Sequence, residues 1–344
     1  PASGRLRLVR YHNVDTSAVH GLWTACGASL SPWNTHLSSE EFPPDAAAPG
    51  EWFRGFSRHL TGDPNTANPY HYGHVPEVTV HPDGSGSVRK HYCLGRISHE
   101  VAQVMPDERT VLMSDDWRHG GLFLFVADRP RSLSAGTLYA ARWLQTSGRG
   151  PGSATLAWIR LGHAASGEIE ALIGGGIGIA DIVDVRGVAP AEPGYTRIPY
   201  NGKANWVRLK PGMERAAAFL ETHRYAALRG ASLGFTKMEG VALDARDRIA
   251  YVAVSSIEGA MTDGSGGIRV EGPASGAVYA LNLRGRQNDT DGTAIDSEWV
   301  PIDMAAVPEL VAGDYGGEAG RRRQDALGNF ADPERIAGPD NLCW

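Results

Sequence analysis

The feature that most constrains this chain is a recurrence of short runs of β-branched and aromatic residues, each closed off by turn chemistry. Glu77–Val80, Ser87–Tyr92, Thr110–Ser114, Leu122–Val126, Thr137–Leu144, Ala154–Leu161, Ile249–Ser255 and Ala277–Leu283 all have this form. Between the first two, His81-Pro82-Asp83-Gly84-Ser85-Gly86 reads as a turn whose glycines supply positive φ. The 43 glycines and 21 prolines follow no period, and they suit many short strands joined by tight turns. One segment departs from the pattern. Gly212–Arg229 carries Met213, Ala216, Ala217, Leu220, Ala227 and Leu228 at helical spacing between Pro211 and Gly230, predicting one helix of four to five turns. Met304–Val311 is predicted as a second, shorter helix. No repeat or linker divides the 344 residues. We expect one all-β domain over 1–344, a β-propeller with divergent blades and a helix inserted at about 212–229, with a sandwich as the alternative.

The formal charge of −6 argues against nucleic acid as the main partner, and the basic run Arg321–Arg323 reads as a solvated loop. No apolar stretch reaches the ~20 residues of a spanning helix. The first residue is Pro1, so the sequence reads as processed or partial and the absence of a leader is uninformative. Cys26, Cys93 and Cys343 are too few for a disulfide framework, and an odd count leaves a thiol over.

Three motifs invite readings that their context rejects. Gly230-Ala231-Ser232-Leu233-Gly234 matches a nucleophile elbow, but that elbow needs a strand before the serine and a helix after it; here the order is reversed, and a helix C-terminal loop fits better. Gly174–Gly178 opens no βαβ unit and reads as a loop. His71 and His74 have the spacing of metal ligands without a nearby carboxylate, so packing or surface positions are expected.

Acidic groups at strand ends carry more promise. They occur in Cys26–Glu41, in Leu94-Gly95-Arg96-Ile97-Ser98-His99-Glu100, in Val111–Asp116 and in Phe235-Thr236-Lys237-Met238-Glu239-Gly240-Val241. Adjacent acids such as Glu40–Glu41 and Asp115–Asp116 repel unless a cation or water separates them. Strand alternation means only one of each pair need face a site. Carboxylates favour calcium or magnesium and a thiolate a softer metal such as iron or zinc, so one cysteine among acids suggests mixed metals. The alternative is exposed acids around an inert buried cysteine.

Taken in order, Cys26…Pro32-Trp33-Asn34-Thr35-His36-Leu37-Ser38-Ser39-Glu40-Glu41, the Leu94–Glu100 block, the block ending at Asp116, the block around Glu239 and Ile336-Ala337-Gly338-Pro339-Asp340-Asn341-Leu342 resemble the PhoX-type alkaline phosphatases across nearly the whole chain. The resemblance implies a six-bladed propeller, incomplete at both ends, with iron and calcium at its centre. It implies a secreted or periplasmic bacterial enzyme acting on small phosphate monoesters. Cys26 matches the iron-binding thiolate; Glu41, Glu100, Asp116 and Glu239 match acidic metal ligands; Asp340 and Asn341 match a segment that approaches the site. Metals would neutralise phosphate and activate water, so no serine or histidine nucleophile is needed.

Three departures stand out. Lys237 occupies the place of a phosphate-contacting arginine, keeping the charge and losing the bidentate fork. Only 25 residues precede Cys26, and the sequence stops just after Leu342. The ends therefore imply a fragment or a propeller closed by an assembly partner. The strand register Thr236–Glu239 should put Lys237 and Glu239 on one face with Met238 packed inward. The rival readings are a non-catalytic propeller stabilised by calcium, serving as a structural or surface-assembly module, and a lactonase- or phytase-like propeller hydrolase.

Overall fold

A computed structural model describes residues 10–316 and 323–344, so Arg321 and Arg322 of the basic run lie outside the described residues. The chain is mostly β. Its strands are β1 (Ala28–Leu30), β2 (His36–Ser38), β3 (Val75–Val80), β4 (Gly86–His91), β5 (His99–Val104), β6 (Thr110–Asp115), β7 (Phe123–Arg129), β8 (Ser132–Ser147) and β9 (Ser153–Ala165). They continue as β10 (Val183–Arg186), β11 (Thr196–Tyr200), β12 (Lys203–Leu209), β13 (Met238–Asp244), β14 (Ile249–Val254), β15 (Ala277–Arg284), β16 (Val300–Pro301) and β17 (Asp303–Val311). All eight runs picked out by composition fall on strands.

Among the described residues the strands form three antiparallel sheets: a four-stranded meander β1–β4, a three-stranded sheet β10-β12-β11, and a ten-stranded sheet ordered β13-β14-β15-β17-β9-β8-β7-β6-β5 with β16 on β15. The ten-stranded sheet curls until its ends meet. Gly120, after β6, and Phe235, before β13, exchange backbone hydrogen bonds of 2.9 and 3.2 Å. The result is a nearly closed, barrel- or propeller-like body.

Alternation along the strands builds two cores. Leu112, Leu124, Tyr139, Ala141, Trp158 and Val252 point to the inside of the curl. Val111, Met113, Phe123, Phe125, Leu138 and Ile159 point outward and are covered by helices. The helices are α1 (Glu51–Thr61), α2 (Ser166–Gly174), α3 (Ile179–Ile182), α4 (Glu214–Leu220), α5 (Thr222–Leu228) and α6 (Ala260–Asp263).

Two element expectations need correction. The run 212–229 is not one helix but two, broken at Glu221, whose backbone (φ −119°, ψ 43°) leaves the helical region. There its buried carboxylate accepts from Tyr70 Oη at 2.9 Å and from Arg224 at 2.6 Å. Met304–Val311 is strand, not helix: it fills the gap between β15 and β9, where ladder bonds on both sides override a weak helical pattern that already contains Pro308.

Candidate metal centre

Each adjacent acid pair divides its labour. Glu40 turns inward, where its carboxylate accepts from the backbone N–H groups of Trp23, Gly73 and His74 at 2.8–3.1 Å and pairs with Lys90 at 2.8 Å. Asp115 does the same, accepting from the N–H groups of Ser98 and Gly121 at 3.0 and 2.8 Å and pairing with His223 at 2.7 Å. These first acids fasten loops to the body. The second acids, Glu41 and Asp116, are freed to converge elsewhere.

They converge with residues drawn from the seam of the curled sheet. Glu100 lies in β5 and Glu239 in β13, each where strand pairing slips its register, between His99 and Ala102 and between Met238 and Val241. Such bulges re-aim a side chain. Cys26 Sγ, Glu41 and Glu100 each offer a donor atom within 4.8 Å of one another, and so do Glu100, Glu239 and Asp340. The two sets share Glu100. Asp116 joins through its charge, which raises the Glu41 carboxyl, and Lys237 Nζ lies 2.5 Å from Asp116 Oδ2 and 3.1 Å from Glu239 Oε1. Ser255 Oγ donates to Glu239 at 2.8 Å.

Electrostatics mark this as a place short of positive charge. Burial, then Glu100 and Asp116, push the Glu41 carboxyl up to about 9. Burial pushes Glu100 up to about 7; the neighbouring Glu41 carboxyl opposes the rise, and Glu239, Asp116 and Asp340 add to it. Glu239 rises for the same first reason, then from Asp116, with Ser255 and Lys237 opposing. Partial burial, then Glu100, Glu41 and Asp340, drive the Cys26 thiol up to about 12. Burial works against the Lys237 ammonium, but Asp116 and Glu239 outweigh it and hold it charged.

The residues fit a metal cluster. Glu100 Oε2 and Asp116 Oδ1 are buried with no hydrogen-bond partner, a cost that a cation removes. The approach of the loops leaves no room for extra atoms: a Cβ on Gly27 would lie 2.6 Å from Glu100 Oε1, and one on Gly240 2.6 Å from the Asp340 carbonyl.

Every residue singled out from the sequence as a ligand or phosphate contact thus lies in one place. Glu41 and Asp116 face the cluster, whereas Glu40 and Asp115 are taken up by loop N–H groups and by Lys90 and His223. Lys237 and Glu239 do share a cluster with Met238 fully buried, but not by strand alternation: Lys237 precedes β13 with φ +52°, its N–H donating to the Trp117 carbonyl. Cys26, Cys93 and Cys343 are all free. Asp340, carried only as a neighbour, stands with the acids, held by a hydrogen bond from Gly240 N–H to its carbonyl at 3.1 Å.

The motif residue Arg96 is structural. Its guanidinium donates to the carbonyls of Tyr72, Pro69 and Pro44, the last of these in the loop after Glu41. Ser232 follows α5 in a loop, its buried Oγ accepting from Trp143 N–H at 3.0 Å, and His74 is wholly buried. Neither is a site. Sequence reasoning missed Phe42, whose ring lies 6.0 Å from Lys237 Nζ, and Trp117, 5.9 Å from that ring; their only signal is position, one residue after Glu41 and one after Asp116.

The family model of alkaline phosphatase PhoX matches residues 1–327. The segment around Asp340 lies beyond that match. No curated protein matches the sequence. Among solved structures, Pseudomonas fluorescens PhoX in complex with vanadate, a transition state analogue, is similar at 20% identity and a TM-score of 0.49. That similarity covers 83% of this chain and 47% of the Pseudomonas chain, so the chain spans about half its length.

Proposed function

The chain belongs to the alkaline phosphatase PhoX family, and on that premise we propose that its acidic centre hydrolyses phosphate monoesters. One observation carries the reading: a thiol and five carboxyl groups from distant segments converge, two of them paired with the Lys237 ammonium, with buried oxygens left unpartnered. Such a set repels itself unless cations are present.

Cys26, Glu41 and Glu100 would hold a softer ion, for which iron is the proposal, and Glu100, Glu239 and Asp340 a hard one such as calcium. When bound, these ions would supply charge to the phosphate oxygens and lower the pKa of water. Lys237 supplies the protein's own positive charge. Its Nζ is held between Asp116 and Glu239 and is partly exposed, so it can donate to a phosphoryl oxygen and stabilise charge developing there. Asp116 and Glu239 orient the ammonium, and Ser255 fixes Glu239. The same reading assigns the protein to the periplasm or the medium, which cell fractionation tests.

Elemental analysis together with phosphate release from simple esters tests the proposal. Iron and calcium with turnover are expected. A full complement of both without turnover of any monoester refutes it. The calcium-stabilised structural module draws support from the lysine standing where a forked arginine is the family's rule, and calcium alone, without turnover, would favour it. Lactone or phytate turnover in place of simple esters would favour the third reading.

A further inference from the structure

Phe42 directly follows Glu41 in a backbone conformation that suits glycine and disfavours an aromatic residue, φ +46°. Two side chains pin that conformation. Phe42 N–H donates to Ser98 Oγ at 2.8 Å, and Trp23 Nε1 donates to the Phe42 carbonyl at 3.0 Å. The turn that aims Glu41 is therefore fixed through backbone groups, which glycine would supply with less strain. The phenyl ring is not needed for the turn, so its presence asks for another role.

The ring is half-buried and lies at the cluster. Lys237 Nζ stands 6.0 Å from its centroid, and the Trp117 ring lies 5.9 Å away at 33°. Trp117 stacks in turn on His223 at 5.8 Å and 18°, and Asp115 holds that imidazole at 2.7 Å. Phe42 is thus one face of a braced aromatic wall beside the ammonium. A phosphoryl group held at Lys237 carries its ester substituent within reach of that wall. Strained, over-determined residues of this kind gather at ligand contacts.

We propose that Phe42, backed by Trp117, is a specificity-determining wall that selects monoesters with a planar apolar ester group, aryl phosphates, over alkyl phosphates. This rests on the phosphoryl site proposed above. The test uses phenylphosphonate and methylphosphonate, which carry the two kinds of group and are not hydrolysed, titrated calorimetrically into the metal-loaded protein. The wild type should prefer phenylphosphonate by about tenfold, the scale of one aromatic contact.

Phe42→Gly, which accepts the backbone conformation, should reduce the preference below about twofold. Phe42→Trp should restore it. A wild type without preference, or a preference that survives Phe42→Gly because both affinities fall together or neither changes, overturns the wall. Binding of neither phosphonate by the wild type overturns the phosphoryl site itself and the wall with it.

Discussion

Lys237 holds two roles that mutation separates. It neutralises Asp116 and Glu239, and it offers a donor to substrate. Lys237→Ala should lower kcat/KM for phosphate esters by tenfold or more, about 1.4 kcal/mol of transition-state stabilisation, while Lys237→Arg retains or raises it. Initial-rate kinetics on both variants check this, and equal losses in the two would refute a phosphate-contact role. Cys26→Ser should strip iron and spare calcium, as read by elemental analysis, because only the thiolate selects the softer ion. The paired acids were legible as a site because neighbouring carboxylates repel. What ties down the other member of each pair was not, since that depends on backbone N–H groups brought from Gly73, Ser98 and Gly121 by the tertiary fold. Phe42 gave no sequence signal beyond its place after Glu41, because what sets it apart is a dihedral angle.

At the scale of the element, the meander β1–β4 hangs on one carboxylate. Glu77 in β3 accepts from Trp33 Nε1 at 2.8 Å, Thr35 Oγ1 at 2.7 Å and His91 Nε2 at 2.8 Å. Burial opposes its ionisation, but the bonds from His91, Thr35 and Trp33 prevail and hold the carboxyl down to about 2. The folded value lies below the ordinary glutamate value of about 4.3. The stabilisation is therefore complete above that value and is lost as pH falls toward 2. Acid titration of the wild type should loosen the meander in that window, and Glu77→Gln, already weaker at neutral pH, should lose less; hydrogen exchange on β3 and β4 measures both.

Strands as short as β14 and β15 were readable from alternation and turn chemistry, whereas β17 was not. Its strand character comes from partners on either side rather than from its own residues. The break between α4 and α5 escaped notice for a similar reason: Glu221 leaves the helix to meet Tyr70, a residue about 150 positions away.

At the scale of the molecule, the candidate centre sits where the curled sheet closes, so bound ions would clamp the seam between β5, β6 and β13. Removing them should lower the melting temperature; an ion present at a hundredfold its Kd contributes about 2.7 kcal/mol. Calorimetry with and without chelator checks this, and an unchanged melting temperature would mean that nothing bridges the seam. The order of the blocks along the sequence was readable, but the seam that joins them is a property of the closed sheet.

Asp340 reaches this seam only because its segment lies across Gly240, anchored by Gly338 N–H to the Ser275 carbonyl at 2.8 Å and by Trp344 stacked 5.1 Å over Tyr251. The consequence is one of timing. Cys26, Glu41, Glu100 and Asp116 leave the ribosome long before Asp340, so a growing chain carries an incomplete donor set. An ion held by Glu100, Glu239 and Asp340 would therefore meet its full donor set only once this last segment is in place. Such an ion would be the last part fitted, and the supply that would count is that of whichever compartment the finished fold has reached.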